Sequence, residues 1–374
     1  MEQARPDTSV ALIVGVTGLT GLSLVEALKN PTALHRPWKV YGAARRPMPD
    51  GFPSSLLDRY ITFDVLNYEN TSKELSPIAH EVTHVFWVPY QLRESEEVNI
   101  SMNLMMLTNV LQVLKSAVPS RLRHLTLQTG TKHYMGPIFD PSLANQLVHH
   151  ESPFQEDVPR LPYPNFYYAL EDLVASESSF TYSVHRSSII MGASTRSIHN
   201  TLLTLSVYAT ICQHQGLPFR YFGNRYTWEH FCDMTDSRVL AEQHIWAAVT
   251  GKAKNQAFNC TNGDFFTWKS LWKVFCEIFG VPFVDFDGTE KFDIAAMIKD
   301  KGKVWDEIVE KHGLQKNTME EITCFDALST VLNFEFQHVS SMNKSREFGF
   351  FGFANTLKNI PVWVERLKEM KIIP

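Results

Sequence analysis

The residue types best suited to chemistry in this 374-residue chain fall in three places. The first is Gly15-Val-Thr17-Gly18-Leu19-Thr20-Gly21, between an unbroken apolar run at 11–16 and a helical pattern through Leu24, Val25 and Leu28. The spacing is G-x-x-G-x-x-G where the common fingerprint is G-x-G-x-x-G, but the physics is shared. One glycine makes a tight turn, the next lets backbone approach a pyrophosphate, and the third lets helix pack on strand. Phosphates then meet the helix N-terminus, where N–H groups and the dipole favour anions. The second place is Arg45-Arg46-Pro47, at the end of a strand-like run at 38–44. A site for an unphosphorylated ribose carries Asp or Glu there. Here two guanidiniums stand instead, and Arg binds a 2′-phosphate that a carboxylate would repel. The pair predicts NADPH rather than NADH, the alternative being a solvated basic turn. Asp64-Val65, ending the next run, offers a carboxylate and an N–H for the adenine edge.

The third place is a pair of blocks, Leu127-Gln128-Thr129-Gly130-Thr-Lys132-His133-Tyr134-Met135-Gly-Pro137 and Asn165-Phe-Tyr167-Tyr168-Ala-Leu-Glu171-Asp172. Many nucleotide-dependent reductases carry Y-x-x-x-K on one helix. Tyr167 is followed at that spacing by Glu171 and Tyr168 by Asp172, so no Lys follows either. Lys132 instead ends a strand-like run, where ligands of parallel sheets bind. From the residues alone, Tyr167 also fits an aromatic packed at a helix start.

These blocks resemble the progesterone 5β-reductase/iridoid synthase-like enzymes of plants, an atypical branch of the extended short-chain dehydrogenases/reductases. The similarity covers nearly the whole chain. It includes GAARRP at 42–47, THVFWV at 83–88, SVHR at 183–186, WDEIV at 305–309 and SMNKSREFG at 341–349. The resemblance implies NADPH-dependent 1,4-reduction of an enone or enal, with Tyr167 and Lys132 as the catalytic pair. Hydride would add to the β-carbon, and a Tyr O–H would stabilise the charge growing on the carbonyl oxygen. Lys132 would favour phenolate character and hold the nicotinamide ribose. The resemblance further implies cofactor contacts at Gln128, Thr129, Gly130, Ile190 and Met191, and substrate contacts at Tyr134, Met135, Phe139 and Asn200. It also implies a homodimer, for which no sequence feature speaks independently.

Two segments depart from the family pattern. A cap stretch that carries a pocket Phe in many relatives reads Thr323-Cys-Phe-Asp-Ala-Leu328, so Ala327 or Leu328 takes that place. Val88-Pro89-Tyr90 replaces a small-residue/Trp pattern. Both concern the substrate rather than the cofactor. The competing readings are a carbonyl 1,2-reductase or extended-type dehydrogenase or epimerase, against which the missing Y-x-x-x-K counts, and a non-catalytic NADPH-binding sensor.

The elements that must position these residues alternate in type. Strand-like runs at 11–16, 38–44, 60–65, 84–88 and 124–128 are separated by helical patterns, one of them at 96–116. Alternation requires crossovers, which predicts an α/β, doubly wound parallel Rossmann sheet. Prolines at 137, 141, 153, 159, 162 and 164 exclude a helix there and predict a functional loop. Further helices are predicted at 167–178, 201–214, 238–249, 267–279 and 355–368, and strands at 182–191, 219–222, 257–260 and 284–286. The division expected is a NADPH-binding domain at 1–192, with strands near 218–260 partly returning to it. Residues 193–374 are expected to form mainly a smaller, mostly helical substrate cap.

Composition bounds the rest. The chain is 44% hydrophobic and 20% charged, too apolar for disorder. A net charge of −5 without basic blocks argues against nucleic acid. Five cysteines without a C-x-x-C argue against a disulfide framework and suggest a reducing compartment. The segment at 1–10 lacks the apolar region of a signal peptide, and no run approaches the ~18 apolar residues of a spanning helix. A cytoplasmic location with no membrane or metal partner is therefore expected. His149-His150-Glu151 has no further ligand at useful spacing. Of the abundant rings, Phe86, Trp87, Tyr134, Phe139, Phe166, Tyr168 and Phe325 are expected to border an apolar pocket for a hydrophobic carbonyl compound.

Overall fold

A computed structural model describes residues 8–374 except 31, 36, 144, 145, 196, 290 and 291. The expectation for the first seven residues lies outside this range. Six strands come in chain order from the first half: β1 (Ser9–Val14), β2 (Trp38–Ala44), β3 (Arg59–Thr62), β4 (His84–Trp87), β5 (His124–Gly130) and β6 (Thr181–Ser187). Short strands follow at β7 (Ile189–Met191), β8 (Phe231–Cys232), β9 (Met234–Asp236), β10 (Gln256–Cys260) and β11 (Phe266–Thr267). Seven form one parallel sheet in the order β10-β6-β5-β4-β1-β2-β3. This is the doubly wound Rossmann sheet that alternation predicted.

Helices α1 (Leu19–Lys29), α2 (Tyr68–Ala79), α3 (Glu96–Ser116), α4 (Lys132–Met135) and α5 (Phe166–Ala175) connect the strands. Later helices are α6 (Thr201–Gln215), α7 (Arg225–Glu229), α8 (Ser237–Val249), α9 (Trp268–Phe279) and α10 (Ile294–Ile298). They continue as α11 (Gly302–His312), α12 (Met319–Ile322), α13 (Phe325–Leu332), α14 (Asn343–Glu347) and α15 (Thr356–Glu369).

Both faces of the sheet are covered, as an apolar parallel sheet requires. Leu24, Val25 and Leu28 of α1 pack with Ala241, Ile245 and Ala248 of α8 on one face. Leu75 of α2, Leu107 and Leu111 of α3 and Leu170 of α5 cover the other. Each fully buried Leu, Ile or Val contributes about 1.5–3 kcal/mol. A second core, rich in rings, joins α6, α9, α11 and α13 through Tyr208, Phe219, Trp272, Phe275, Trp305 and Phe325.

Three strand expectations changed. The run at 182–191 breaks at Ser188, whose N–H donates to Thr235 Oγ1 at 2.9 Å and whose hydroxyl donates to the Asp233 carbonyl. The chain thereby leaves the sheet, and β7 pairs with β9 instead. The run at 219–222 forms only a single bridge, Phe219 to Phe283, because its rings are buried among Tyr208 and Trp272. Residues 284–286 form no strand, and Asp285 there accepts from Trp228 Nε1 and Lys269. Of the later runs, β10 returns to the sheet beside β6.

Candidate active site

The carboxyl ends of all seven strands lie on one edge, and the chain reverses its direction of winding between β1 and β4. A crevice at that point is where such sheets bind ligands. A cavity of about 420 Å³ opens there.

Its floor is the turn after β1. Gly15 has φ +88°, and a Cβ on it would meet Pro89 N at 3.1 Å. Only glycine suits both the left-handed backbone and the close approach of the β4 exit. Gly18 forms the N-cap of α1 with no side-chain cap, and no acidic residue occupies the first turn. The N-terminus of α1 is thus open to an anion. Gly21 does not line the cavity. A Cβ there would stand 2.3 Å from the Gly15 carbonyl oxygen, so its absence lets α1 dock on the turn. Thr17, Gly18, Leu19 and Thr20 line the cavity with Gly15.

Gln128, Thr129, Gly130 and Lys132 line the next wall, at the end of β5. Gln128 Oε1 and Thr129 Oγ1 are buried with no hydrogen-bond partner among the described residues. Buried polar atoms are rarely left so, and both residues line the cavity. With the open α1 terminus they fit a dinucleotide. Gln128, Thr129 and the α1 turn are the residues that would hold it.

Tyr167 and Lys132 meet across this wall. Asn165 caps α5 by accepting the Tyr167 N–H at 3.0 Å, and its Nδ2 donates to the Lys132 carbonyl at 2.9 Å. The Tyr167 hydroxyl lies over Gly130, where a Cβ would stand 3.3 Å from it. Lys132 Nζ is 5.6 Å from the Tyr167 ring centroid and 4.5 Å from that of Phe166. It donates to both oxygens of Glu96, at 3.3 and 3.2 Å. Burial lowers the Lys132 pKa, and the Glu96 carboxylate opposes that. Burial pushes Tyr167 well above an ordinary phenol. That direction favours a neutral O–H donor over the phenolate character expected beside a Lys, with burial as the main cause and the charges of Tyr90 and Glu96 adding to it.

Met135, the last residue of α4, and Phe139, from the irregular segment that follows, also line the cavity. The C-terminal half closes it with Ala327, Leu328 and Val331 of α13, then Phe334 and His338. Tyr90 stacks between Phe166 and His199 at centroid distances of 6.4 and 5.8 Å. His338 Nε2 lies 2.8 Å from Thr131 Oγ1, and burial pulls its pKa down to about 4, so it is uncharged at neutral pH.

Several predicted site residues lie elsewhere. Tyr134 is fully buried behind the wall, where its hydroxyl donates to Asn259 Oδ1 at 2.6 Å and its ring stacks on Phe154. Asn200 is a buried cap: it accepts the Leu203 N–H and donates to the Gly192 carbonyl. Met191 is buried and does not line the cavity, whereas the neighbouring Ile190 does. Phe86 and Trp87 are sheet core, and of the seven rings expected around the pocket only Phe139 lines it. Arg45 and Arg46 are exposed at the carboxyl end of β2, outside the cavity lining. Asp64 and Val65 follow β3. There Asp64 Oδ1 accepts the Leu66 N–H and the Val65 carbonyl accepts from Asn109.

Behind the wall, Arg186 of the SVHR block pairs with Glu171 through Nε at 3.2 Å and Nη2 at 3.0 Å. His133 Nδ1 lies 3.3 Å from the same carboxylate. Burial opposes ionisation of Glu171, but His133 and Arg186 outweigh it and hold its pKa at about 2. Sequence reasoning missed Glu96, Tyr90 as a stacking residue and His338. Glu96 carried only the signal of an acid in the first turn of a helix, and His338 carried none.

A family model described as a PRISE-like Rossmann-fold domain matches residues 11–374. The 3-oxo-Δ(4,5)-steroid 5β-reductase of Arabidopsis thaliana is 43% identical over 377 residues, covering 100% of this chain and 95% of that relative. The (S)-8-oxocitronellyl enol synthase of Catharanthus roseus is 42% identical over 372 residues, covering 98% and 92%. Among solved structures, the UDP-glucuronic acid 4-epimerase from Bacillus cereus in complex with NAD aligns with a TM-score of 0.62 at 14% identity, over 97% of this chain and 99% of that one. The epimerase Mth375 from Methanothermobacter thermautotrophicus aligns with a TM-score of 0.65 at 13% identity, over 98% and 95%. These two likenesses establish the fold alone. With the match running from β1 to the final residue, the chain belongs to the PRISE-like family of Rossmann-fold proteins.

Proposed function

We propose that this protein is an NADPH-dependent oxidoreductase that reduces the C=C bond of a hydrophobic enone or enal. One observation carries the reading: Tyr167 and Lys132 line the same cavity as Gly15, Thr17, Gly18, Leu19 and Thr20. The relatives named above as a steroid 5β-reductase and an enol synthase support the reaction type. Reduced nicotinamide, when bound, supplies the hydride that the β-carbon receives. Tyr167 donates its O–H to the carbonyl oxygen as enolate charge develops there. Lys132, kept cationic, adds electrostatic stabilisation and holds a ribose hydroxyl. Gln128 and Thr129 would help hold the dinucleotide at the end of β5. Met135, Phe139, Leu328 and Phe334 exclude water from an apolar acceptor.

NADPH is preferred over NADH on the strength of Arg45 and Arg46. Residues 1–192 serve mainly the cofactor and 193–374 mainly the substrate, with α8 and β10 returning to the sheet. A cytoplasmic location is supported by five free thiols. No helix among the described residues is long and apolar enough to cross a membrane.

The test is oxidation of NADPH with progesterone, 8-oxogeranial and methyl vinyl ketone, followed by product analysis. Saturated carbonyl products are expected. Tyr167→Phe should lower kcat by roughly 10²-fold or more. An allylic alcohol would mark a 1,2-reductase instead, and no turnover with any acceptor would refute the reading.

A further inference from the structure

Two glutamates open α3, and helix N-termini favour acids there in any protein. Glu97 fits that description: it is exposed and accepts from Ser95. Glu96 does not. It is 1% exposed, with its carboxylate turned inward. Oε1 accepts the N–H of Phe166, the first residue of α5, at 2.8 Å. Oε2 accepts from Asn99 Nδ2 at 3.1 Å. Both oxygens accept from Lys132 Nζ, and the Glu96 N–H donates to Asp140 Oδ2 at 3.1 Å. Burying a carboxylate and an ammonium together is costly, and a helix dipole is served as well by an exposed acid. The convergence of Lys132 and the start of α5 on one carboxylate therefore calls for another reason.

We propose that Glu96 is a positioning residue for the reduction, binding the Lys132 ammonium and the first turn of α5 so that Lys132 and Tyr167 keep a fixed relation and Lys132 keeps its charge. The inference rests on the function proposed above. The titratable groups facing Lys132 are Glu96 from α3, Asp140 from the segment after α4 and Tyr167 from α5. Of the three, Glu96 alone bonds Nζ among the described residues. Tyr167 is neutral, and Asp140 acts on Lys132 only through space.

Glu96→Gln retains an acceptor for the Phe166 N–H but removes the charge. An unpaired, buried Lys132 then loses its proton at lower pH. The basic limb of kcat/KM for enone reduction should move down by about one to three pH units. Glu96→Asp keeps the charge on a shorter arm, so kcat should fall about 10-fold while the limb stays within about half a unit of wild type. The Lys132 Nζ titration, followed by NMR in lysine-labelled full-length protein and assigned by Lys132→Arg, should move with the limb. A role in folding alone would lower the melting temperature and leave both titrations in place. Coincident Lys132 titrations in wild type and Glu96→Gln would overturn the proposal. If Glu96→Gln does not fold, Glu96→Asp decides: a wild-type kcat there overturns it. A wild type that titrates Lys132 but reduces no enone refutes the proposed function, while the NMR comparison still decides the Glu96 pairing.

Discussion

Gly130→Ala tests the placement of the Tyr167 hydroxyl without removing it. Gly130 is the last residue of β5, and its backbone does not lie in the left-handed region, so alanine is allowed. The new Cβ would stand 3.1 Å from the Ser187 carbonyl oxygen and 3.3 Å from Tyr167 Oη. Both contacts are too tight, and something must give by a few tenths of an ångström. The Ser187 carbonyl is fixed, because it ends β6 and accepts the Thr131 N–H at 3.0 Å. The phenol terminates a rotatable side chain and is the part that yields. A complete loss of such a donor costs about 2.7–4 kcal/mol in the transition state. A shift of a few tenths of an ångström, enough to misalign the donor, should forfeit about half of that, or roughly a 10- to 30-fold fall in kcat. The assay is steady-state loss of NADPH absorbance in wild type, Gly130→Ala, Tyr167→Phe and the double variant. In the Tyr167→Phe background there is no hydroxyl to displace, so Gly130→Ala should cost almost nothing more. An unchanged kcat in the single variant, or an equal loss on both backgrounds, would refute the placement.

Two further outcomes follow from the same geometry. Replacing Arg45 and Arg46 together by Ala should raise KM for NADPH about 10-fold or more and leave KM for NADH nearly unchanged, measured side by side. Glu171, held at about pKa 2 against an ordinary 4.5, stabilises the fold fully above about pH 4.5, and that contribution fades as pH falls toward 2. Glu171→Gln strands buried Arg186, so it should cost about 3–5 kcal/mol at neutral pH and flatten the acid side of melting temperature against pH.

The sheet was legible in the sequence because strand and helix periods alternate so plainly from Ala11 to Gln128. The helix predicted at 96–116 coincides with α3, and 201–214 differs from α6 by one residue. What the sequence hid was direction. Tyr134 sits in the same block as Lys132 and Met135, yet its ring turns away from the cavity and its hydroxyl reaches Asn259, 125 residues on. No local pattern encodes such a partner. Ser188 likewise reads as one more residue of a strand until Thr235 and Asp233 are folded beside it. Runs such as 219–222 are apolar because rings surround them, and periodicity cannot separate that case from a strand.

Lys132 and Tyr167 stand on different elements, joined at their bases by the Asn165 side chain and the Lys132 carbonyl. The long proline-rich segment between them thus starts and ends at one pinned point. Asp140, which accepts the Glu96 N–H, ties the early part of the segment to the same site. Met135 and Phe139 lie at the start of that segment, so changes near its beginning reshape the acceptor pocket. Exchanging residues there by grafting would therefore alter the pocket wall while the Asn165 pin holds Lys132 and Tyr167 together.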